Sequence, residues 1–273
     1  MSSVEDLEEL LQVAEAAARA GGRLVAEGAR EATAREAAAQ EKGSGDYVTE
    51  VDRASEREIS GVLRDATPGI SFLGEEGGGE RARRSWVVDP LDGTTNFLHG
   101  FPAVGVSVAL VEDGRPVIGV VHAPFLGRTY AGARGLGALV VGEDGSRTPL
   151  AVSDRPVGRA VVGTGFPFRR KELLSRYLGV MSRALERFED LRRPGAAALD
   201  LAWVAEGVFD GFFELSLSAW DVAAGGLLIE EAGGVVTDWN GGEGWLGGDI
   251  LAGSRAVHAE LVSLASANAG QLR

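Results

Sequence analysis

Apolar positions along this chain change their period twice, and the changes mark out its elements. From residue 4 to about residue 40, Leu7, Leu10, Leu11, Ala14 and Ala18 recur at the three-to-four spacing of an amphipathic helix. Gly21-Gly22 falls inside that run, so the pattern predicts one helix, or two with a break at the glycines. Lys42-Gly43-Ser44-Gly45-Asp46-Tyr47 reads as a loop that brings Lys42, Asp46 and Asp52 close together. A second helix follows from about residue 48 to about Asp65 and ends at Thr67-Pro68-Gly69. The period then shortens. Residues 70–73 form a short strand, and Trp86-Val87-Val88 reads as the end of a buried strand stopped by Pro90, which has no N–H to donate. Residues 104–111 and 116–122 flank Asp113-Gly114, the signal of a β-hairpin, and residues 128–133 and 138–141 extend the sheet.

Near residues 145–155 the pattern changes to strands alternating with helices. Strands are predicted at 160–163, 209–215, 235–237 and 250–253. A helix over 171–189 places Leu173, Leu174, Tyr177, Met181, Leu185 and Phe188 on one face. Further helices span 196–206, run from Asp221 to Ala232, and close the chain. Trp86, Trp203 and Trp220 read as core, whereas Trp239 and Trp245 read as packing a glycine-rich loop. The chain therefore divides into an α+β half, residues 1–148, with a mainly antiparallel sheet, and an α/β half, residues 149–273, packed as one unit.

Composition narrows the function. With 273 residues, 45% hydrophobic and 25% charged, the chain is an ordinary globular protein. Its formal net charge of −13 argues against a nucleic-acid partner, which calls for a basic stripe. The same charge is awkward for an anionic substrate unless metal ions reverse the local sign. There is no cysteine, which excludes disulfides, Cys-zinc sites and thiolate nucleophiles. His99, His122 and His258 lack the spacing of a histidine metal site, and His99 reads as the cap of a short helix. Residues 1–9 lack the apolar core of a signal peptide, and no apolar stretch is long enough to span a bilayer. These features predict a cytoplasmic protein with no membrane association.

The candidate chemistry centres on Asp89-Pro90-Leu91-Asp92-Gly93-Thr94-Thr95-Asn96-Phe97. Carboxylates at a strand end, followed by N–H groups at a helix start, suit a cation and a phosphate held together. Taken alone, the same letters also make an Asx-rich turn with a helix cap. Three more features bear on the choice. Acids stand at predicted element ends at Glu75, Asp89, Asp92 and Asp221. Hydrolysis of a phosphate ester needs charge neutralisation and a positioned water, because the ester repels an anionic nucleophile. Hard oxygen ligands without cysteine favour Mg2+, whose coordinated water can become the nucleophile. Asp89 could bridge two ions, with Glu75 completing one, Asp92 and Asp221 the other, and the Leu91 carbonyl adding a neutral ligand. A dehalogenase-type nucleophile wants aspartates two apart rather than three, and the P-loop ending is absent.

Together with Gly74-Glu75-Glu76 and Ala219-Trp220-Asp221-Val222-Ala223-Ala224-Gly225, this signature resembles the inositol monophosphatase family within the fructose-1,6-bisphosphatase-like, lithium-sensitive phosphatases. The resemblance runs from the first helix almost to the C-terminus. It implies an αβαβα layered sandwich, a homodimer, two to three Mg2+ ions and a small phosphate ester as substrate, with inositol-1-phosphate foremost. Relatives acting on fructose-1,6-bisphosphate, histidinol phosphate or 3′-phosphoadenosine 5′-phosphate are the alternatives, as is a regulatory binding role on the same fold. Residue by residue, it places a first ion on Glu75, Asp89 and the Leu91 carbonyl, a second on Asp89, Asp92 and Asp221, and a weaker third sharing Glu75. Catalysis falls to Glu75 with Thr94 and Asp52, Thr94 being hydrogen-bonded to Asp52 and orienting the water. The N–H groups of Gly93, Thr94 and Thr95 would cradle the phosphate, while Gly195, Ala197 and Glu214 would face the hydroxyl-bearing ring. Lys42 matches an active-site-loop lysine in a loop one residue shorter, Ala196 replaces a hydroxyl residue, and Glu76 stands behind the ligands. Arg192-Arg193 reads as a surface or interface pair that could touch an anionic substrate.

Overall fold

The computed structural model describes residues 4–30, 40–43 and 46–269. Among them the chain opens with α1 (Val4–Arg30), a hairpin of β1 (Gln40–Gly43) and β2 (Asp46–Val48), and α2 (Glu50–Ala66). Next come β3 (Ser71–Gly74), β4 (Gly78–Gly79), β5 (Arg84–Asp92), the short α3 (Thr94–His99) and β6 (Gly105–Glu112). The first sheet is completed by β7 (Arg115–Ala123), β8 (Arg128–Ala133), β9 (Gly137–Val141) and β10 (Arg147–Pro149). The second half contains β11 (Val161–Thr164), α4 (Leu174–Arg187), β12 (Asp190–Arg192), α5 (Ala197–Ala205) and β13 (Gly211–Glu214). It ends with α6 (Ala219–Glu231), β14 (Val235–Thr237), β15 (Ile250–Gly253) and α7 (Arg255–Ala269).

Eight strands form one sheet in the order β10-β9-β8-β7-β6-β5-β3-β4, antiparallel except where β3 runs parallel to β5. Five form a second, β12-β11-β13-β15-β14, in which β11 is parallel to both neighbours and β15 antiparallel to both of its own. Because side chains alternate along a strand, the first sheet buries both faces. Trp86, Val88, Val106, Val108 and Val120 pack in a core with Ala14, Ala18 and Val25 of α1 and Ile59 and Leu63 of α2. Val87, Ala109 and Val121 join a second core with Leu199 and Leu201 of α5 and Val222 and Leu228 of α6. A third core sets α4 and α7 against the outer face of the second sheet through Tyr177, Val180, Leu251 and Val257. The result is the αβαβα layered sandwich. Asp113 and Gly114, at φ 49° and 79°, make the tight hairpin turn between β6 and β7.

Several local expectations change. The first helix passes through Gly21-Gly22 without a break. A Cβ at Gly21 would meet Ile59 Cδ1 at 2.6 Å, and one at Gly22 would meet His122 Cδ2 at 2.2 Å, so these glycines let α1 approach α2 and β7 closely. The loop at Lys42 is instead the β1–β2 hairpin; the side chains of Lys42 and Asp46 lie outside the described residues. β5 runs through Pro90 rather than ending there, for a reason that belongs to the site. The inward face of α4 is Tyr177, Val180 and Ala184, while Leu174 and Leu185 are 44% and 60% exposed. β12 was not visible in the residue pattern, and α6 begins at Ala219, with Asp221 its third residue. Trp239 and Trp245 are buried core side chains.

Gly22→Ala should destabilise the fold by about 1–3 kcal/mol through overpacking, although alanine is the better helix former. Urea unfolding measures it, and an unchanged or raised midpoint would show that His122 yields without cost.

Candidate metal centre and substrate cleft

One face of α2 organises the loops that carry the acids. Asp52, Ser55 and Glu56 stand three and four residues apart, so they share a face, and all three are buried. Thr49 caps α2 in a capping box, its N–H donating to Asp52 Oδ2 at 2.8 Å. The other Asp52 oxygen accepts the Thr94 hydroxyl at 3.2 Å, as the resemblance implied. That hydroxyl is equally 3.2 Å from the Leu91 carbonyl, and its single proton serves one acceptor at a time. Ser55 donates to the Pro90 carbonyl at 2.9 Å. Glu56 accepts the N–H groups of Glu76 and Gly77 at 2.8 and 2.6 Å, which fixes the turn carrying Glu75. Only Asp52 of this face was singled out in the sequence. Ser55 and Glu56 sit in a charged helix where such residues ordinarily face solvent.

A bulge aims the two signature aspartates. β5 pairs Asp89 with Ser107 and Asp92 with Gly105, so three steps on β5 match two on β6. Residues three apart in a regular strand point to opposite faces, and the extra residue returns both side chains to one side. Pro90 occupies the bulge, where a missing N–H breaks no ladder bond. Main-chain donors then fix each carboxylate. Asp89 Oδ1 accepts the Leu91 N–H at 2.9 Å. Asp92 Oδ2 accepts the Ala198 N–H at 2.7 Å, at the start of α5, where the helix end favours negative charge. Asp221 accepts the Ser218 N–H at 2.6 Å in a second capping box. One oxygen from each of Asp89, Asp92 and Asp221 lies within 4.8 Å of the other two.

These carboxyls are in an unfavourable place without a cation. Burial, then the charge of Glu75, Asp92 and Asp221, drives Asp89 well above the usual carboxylate range. Burial pushes Asp92 up to about 7 despite the N–H groups of Ala198 and Leu199. Burial and the Asp92 charge bring Asp221 to about 7. Burial also raises Asp52 to about 6. An all-oxygen, largely buried, mutually repelling set fits a hard divalent ion such as Mg2+ better than zinc.

Glu75, Asp89, Leu91, Asp92 and Asp221 line a cleft of about 550 Å³. Gly93, Thr94, Thr95, Gly195, Ala197 and Glu214 line the same cleft, while Asp52 sits behind Thr94. Glu75 is near enough for its charge to act on Asp89 but stands outside the tight aspartate cluster. Gly93 adopts φ +88° before α3, and its carbonyl accepts the Phe97 N–H at 2.9 Å, so the N–H groups of Gly93, Thr94 and Thr95 precede the first internal donor. His99 is exposed in the last turn of α3 and outside the cleft. Burial, then the Asp221 charge, raises Glu214 to about 8. A Cβ at Gly165 would lie 2.1 Å from the Glu214 carboxylate, so only glycine leaves room for it. Two positions carried no local signal. The Asn96 amide donates to the Ala103 and Pro194 carbonyls at 2.7 and 2.8 Å, tying α3 to the turn before α5. Asp200 is fully buried, accepts the Gly195 N–H, and keeps Oδ1 without a partner.

Five alternating layers with an acid cluster lining a cleft define the architecture of the inositol and sugar phosphatases. The chain belongs to the inositol monophosphatase family, whose profile matches residues 6–270. Nus factor SuhB of Pseudomonas aeruginosa is 43% identical over 266 residues, covering 94% of this chain and 96% of that protein. The fructose-1,6-bisphosphatase/inositol-1-monophosphatase of Aquifex aeolicus is 39% identical over 265 residues, covering 96% and 97%. The crystal structure of the extragenic suppressor protein SuhB from Bartonella henselae superposes with a TM-score of 0.86 at 37% identity, covering 94% of this chain and 98% of that one. Among the described residues, no helix is long and apolar enough to cross a membrane.

The raised acids set a pH dependence for the metal-free protein. Folded Asp92 and Asp221 keep their protons up to about 7, whereas the unfolded chain releases them near 3.8. Between those limits the folded state binds more protons, so stability falls as pH rises through the window. Thermal unfolding in chelator should show that fall, and Mg2+ should reverse it at neutral pH. Stability that rises across the window in chelator would contradict the burial of these acids.

Proposed function

We propose that this protein is a Mg2+-dependent phosphomonoesterase acting on a small polyol or sugar phosphate, inositol-1-phosphate foremost. The observation that carries the reading is the convergence of Asp89, Asp92 and Asp221 within 4.8 Å of one another on the lining of a cleft. Glu75, Asp89 and the Leu91 carbonyl would hold one ion, Asp89, Asp92 and Asp221 a second, and a weaker third would share Glu75. Bound Mg2+ would supply positive charge against the phosphate and make a water more acidic.

The rest is the work of the chain. Asp52 accepts the Thr94 proton, which leaves the Thr94 oxygen to accept from the attacking water. Glu75 shares in orienting that water and receives its proton. The N–H groups of Gly93, Thr94 and Thr95 hold the phosphate oxygens in place for in-line displacement. A bond forms from the water oxygen to phosphorus as the ester P–O bond breaks, and the leaving alkoxide is protonated by water. Gly195, Ala197 and Glu214 face the hydroxyl-bearing part of the substrate. The two halves, residues 1–148 and 149–273, act as one unit, since Asp221 and Glu214 come from the second and the other acids from the first.

A second reading is a regulatory binding role on the same fold, favoured by the name Nus factor SuhB that relatives at 40% and 43% identity carry. The expectation against a nucleic-acid partner rests on net charge alone and does not bear on such a role. Phosphate release from a panel of esters decides whether the chain is an enzyme. Hydrolysis with Mg2+, lost in chelator and regained on adding Mg2+, is expected, and full activity in chelator would overturn the mechanism. Asp89→Asn should lower kcat at least about a hundredfold, and a folded variant with near-normal rate would remove Asp89 from the site. Glu214→Ala should raise KM for inositol-1-phosphate about tenfold and raise it less for an aryl phosphate. Equal losses on both would assign Glu214 to the metal scaffold.

A further inference from the structure

Among the described residues, two that are not glycine adopt a left-handed backbone, Asp113 at φ 49° and Ser216 at φ 65°. Asp113 belongs to the hairpin turn between β6 and β7, where that conformation is ordinary and the side chain is exposed. Ser216 is a different case. It lies in the link from β13 to α6, two residues after Glu214 and five before Asp221, and lines the cleft together with both. A left-handed serine is strained where glycine would not be. Such residues persist where their surroundings hold them, and they gather at functional sites.

The link is held from behind the cleft wall. The Ser216 N–H donates to Asp249 Oδ1 at 3.0 Å, and Asp249 Oδ2 accepts from Arg176 at 3.3 Å. The Arg176 guanidinium lies 5.1 Å from the centroid of Trp239, within cation–π range. The Trp239 indole N–H donates to the Glu214 and Ile250 carbonyls at 2.8 and 3.1 Å. The Leu217 N–H donates to the Gly248 carbonyl at 3.0 Å, and a Cβ at Gly248 would lie 1.7 Å from the Leu217 carbonyl oxygen. Asp249, Arg176 and Trp239 are not on the cleft lining, so these bonds fix the main chain and leave the cleft side open. They account for the conformation and not for the serine, since glycine would offer Asp249 the same N–H. Ser216 is half-buried, and among the described residues no protein group pairs with its hydroxyl.

We propose that Ser216 is a specificity residue whose hydroxyl bonds a substrate hydroxyl next to the one that Glu214 takes, so that the cleft selects phosphate esters of polyols with adjacent hydroxyls. This rests on the phosphatase reading and adds a contact to it. An ionised carboxylate only accepts hydrogen bonds, whereas a serine hydroxyl both donates and accepts. Of two adjacent substrate hydroxyls, one gives its proton to Glu214 and the other exchanges a hydrogen bond with Ser216. These hydroxyls take no part in the displacement at phosphorus. The contact therefore acts on ground and transition states alike, and it appears in KM rather than kcat.

Ser216→Gly separates this role from a structural one, because it removes the hydroxyl and relieves the backbone in the same step. Unfolding midpoints, and steady-state kinetics with Mg2+ on inositol-1-phosphate and phenyl phosphate, are compared for the wild-type protein, Ser216→Gly and Ser216→Ala. Ser216→Gly should unfold no earlier than the wild type, yet raise KM for inositol-1-phosphate about fivefold to tenfold. KM for phenyl phosphate, which has no hydroxyl to bind, should stay nearly unchanged. Ser216→Ala keeps the strain, should show the same KM rise, and carries the test if glycine loosens the link. An unchanged KM for inositol-1-phosphate in both variants, equal rises on both esters, or a loss confined to kcat would each overturn the contact. A lowered midpoint with both KM values raised would make Ser216 a structural residue and overturn it as well. Hydrolysis of phenyl phosphate but not of inositol-1-phosphate by the wild type would remove the polyol pocket, and Ser216 from it, with the phosphatase reading intact. Hydrolysis of neither would instead overturn the phosphatase reading, and the contact with it.

Discussion

Mutual repulsion among three closely set carboxylates, two buried and one half-buried, is the constraint on which the rest of this structure depends. Oxygens of Asp89, Asp92 and Asp221 within 4.8 Å of one another cannot all be ionised at low cost unless positive charge joins them. Each aspartate is nevertheless held in place by a main-chain donor, the N–H of Leu91, Ala198 or Ser218. The chain thus invests its geometry in holding together a cluster that a cation relieves. The bulge at Pro90 turns Asp89 and Asp92 to one side, the start of α5 holds Asp92 there, and the capping box of α6 brings Asp221 to the same point. Three unrelated local devices converge, and the junction between the sheets is where they can.

The layers explain why that junction is stiff enough to hold such a cluster. β5 lies inside the eight-stranded sheet, with one face against α1 and α2 and the other against α5 and α6. A shift of β5 would disturb two cores at once, so the acid-bearing end of the strand has little freedom. α2 reinforces it from behind, through Asp52 to Thr94, Ser55 to the Pro90 carbonyl, and Glu56 to the Glu75 turn. Replacing that polar face with apolar side chains would retain helix packing and still lose the loops, because the loop N–H groups would be buried without acceptors.

Much of the candidate site was legible in the sequence because the acids that the structure brings together lie in short, chemically distinctive blocks. Asp89-Pro90-Leu91-Asp92-Gly93-Thr94 carries acid, turn and helix start within six letters, and Trp220-Asp221 repeats the theme at a helix start. The resemblance these blocks support also brought the layered fold with it. What stayed hidden depends on contacts between distant residues. Glu56 is an ordinary helix acid until the turn at Glu76 and Gly77 is placed on it. Asn96 and Pro194 are 98 residues apart in the chain, and Asp200 gains meaning only from the turn it holds at Gly195. The glycines in α1 misled for the same reason: as letters they predict a break, and only the neighbouring Ile59 and His122 show that they permit close packing. Pro90 reads as a strand stop when the partner strand is unknown, and as a bulge residue once β6 is paired with it.

Divalent occupancy of the aspartate cluster is the central claim, and anomalous X-ray scattering from crystals grown with Mn2+ tests it most directly. The account predicts at least two anomalous peaks, each about 2.0–2.3 Å from carboxylate oxygens, with Asp89 touching both and Asp92 and Asp221 sharing one. Crystals with Mn2+ present but no peak among Asp89, Asp92 and Asp221, or with peaks at surface carboxylates alone, would contradict it.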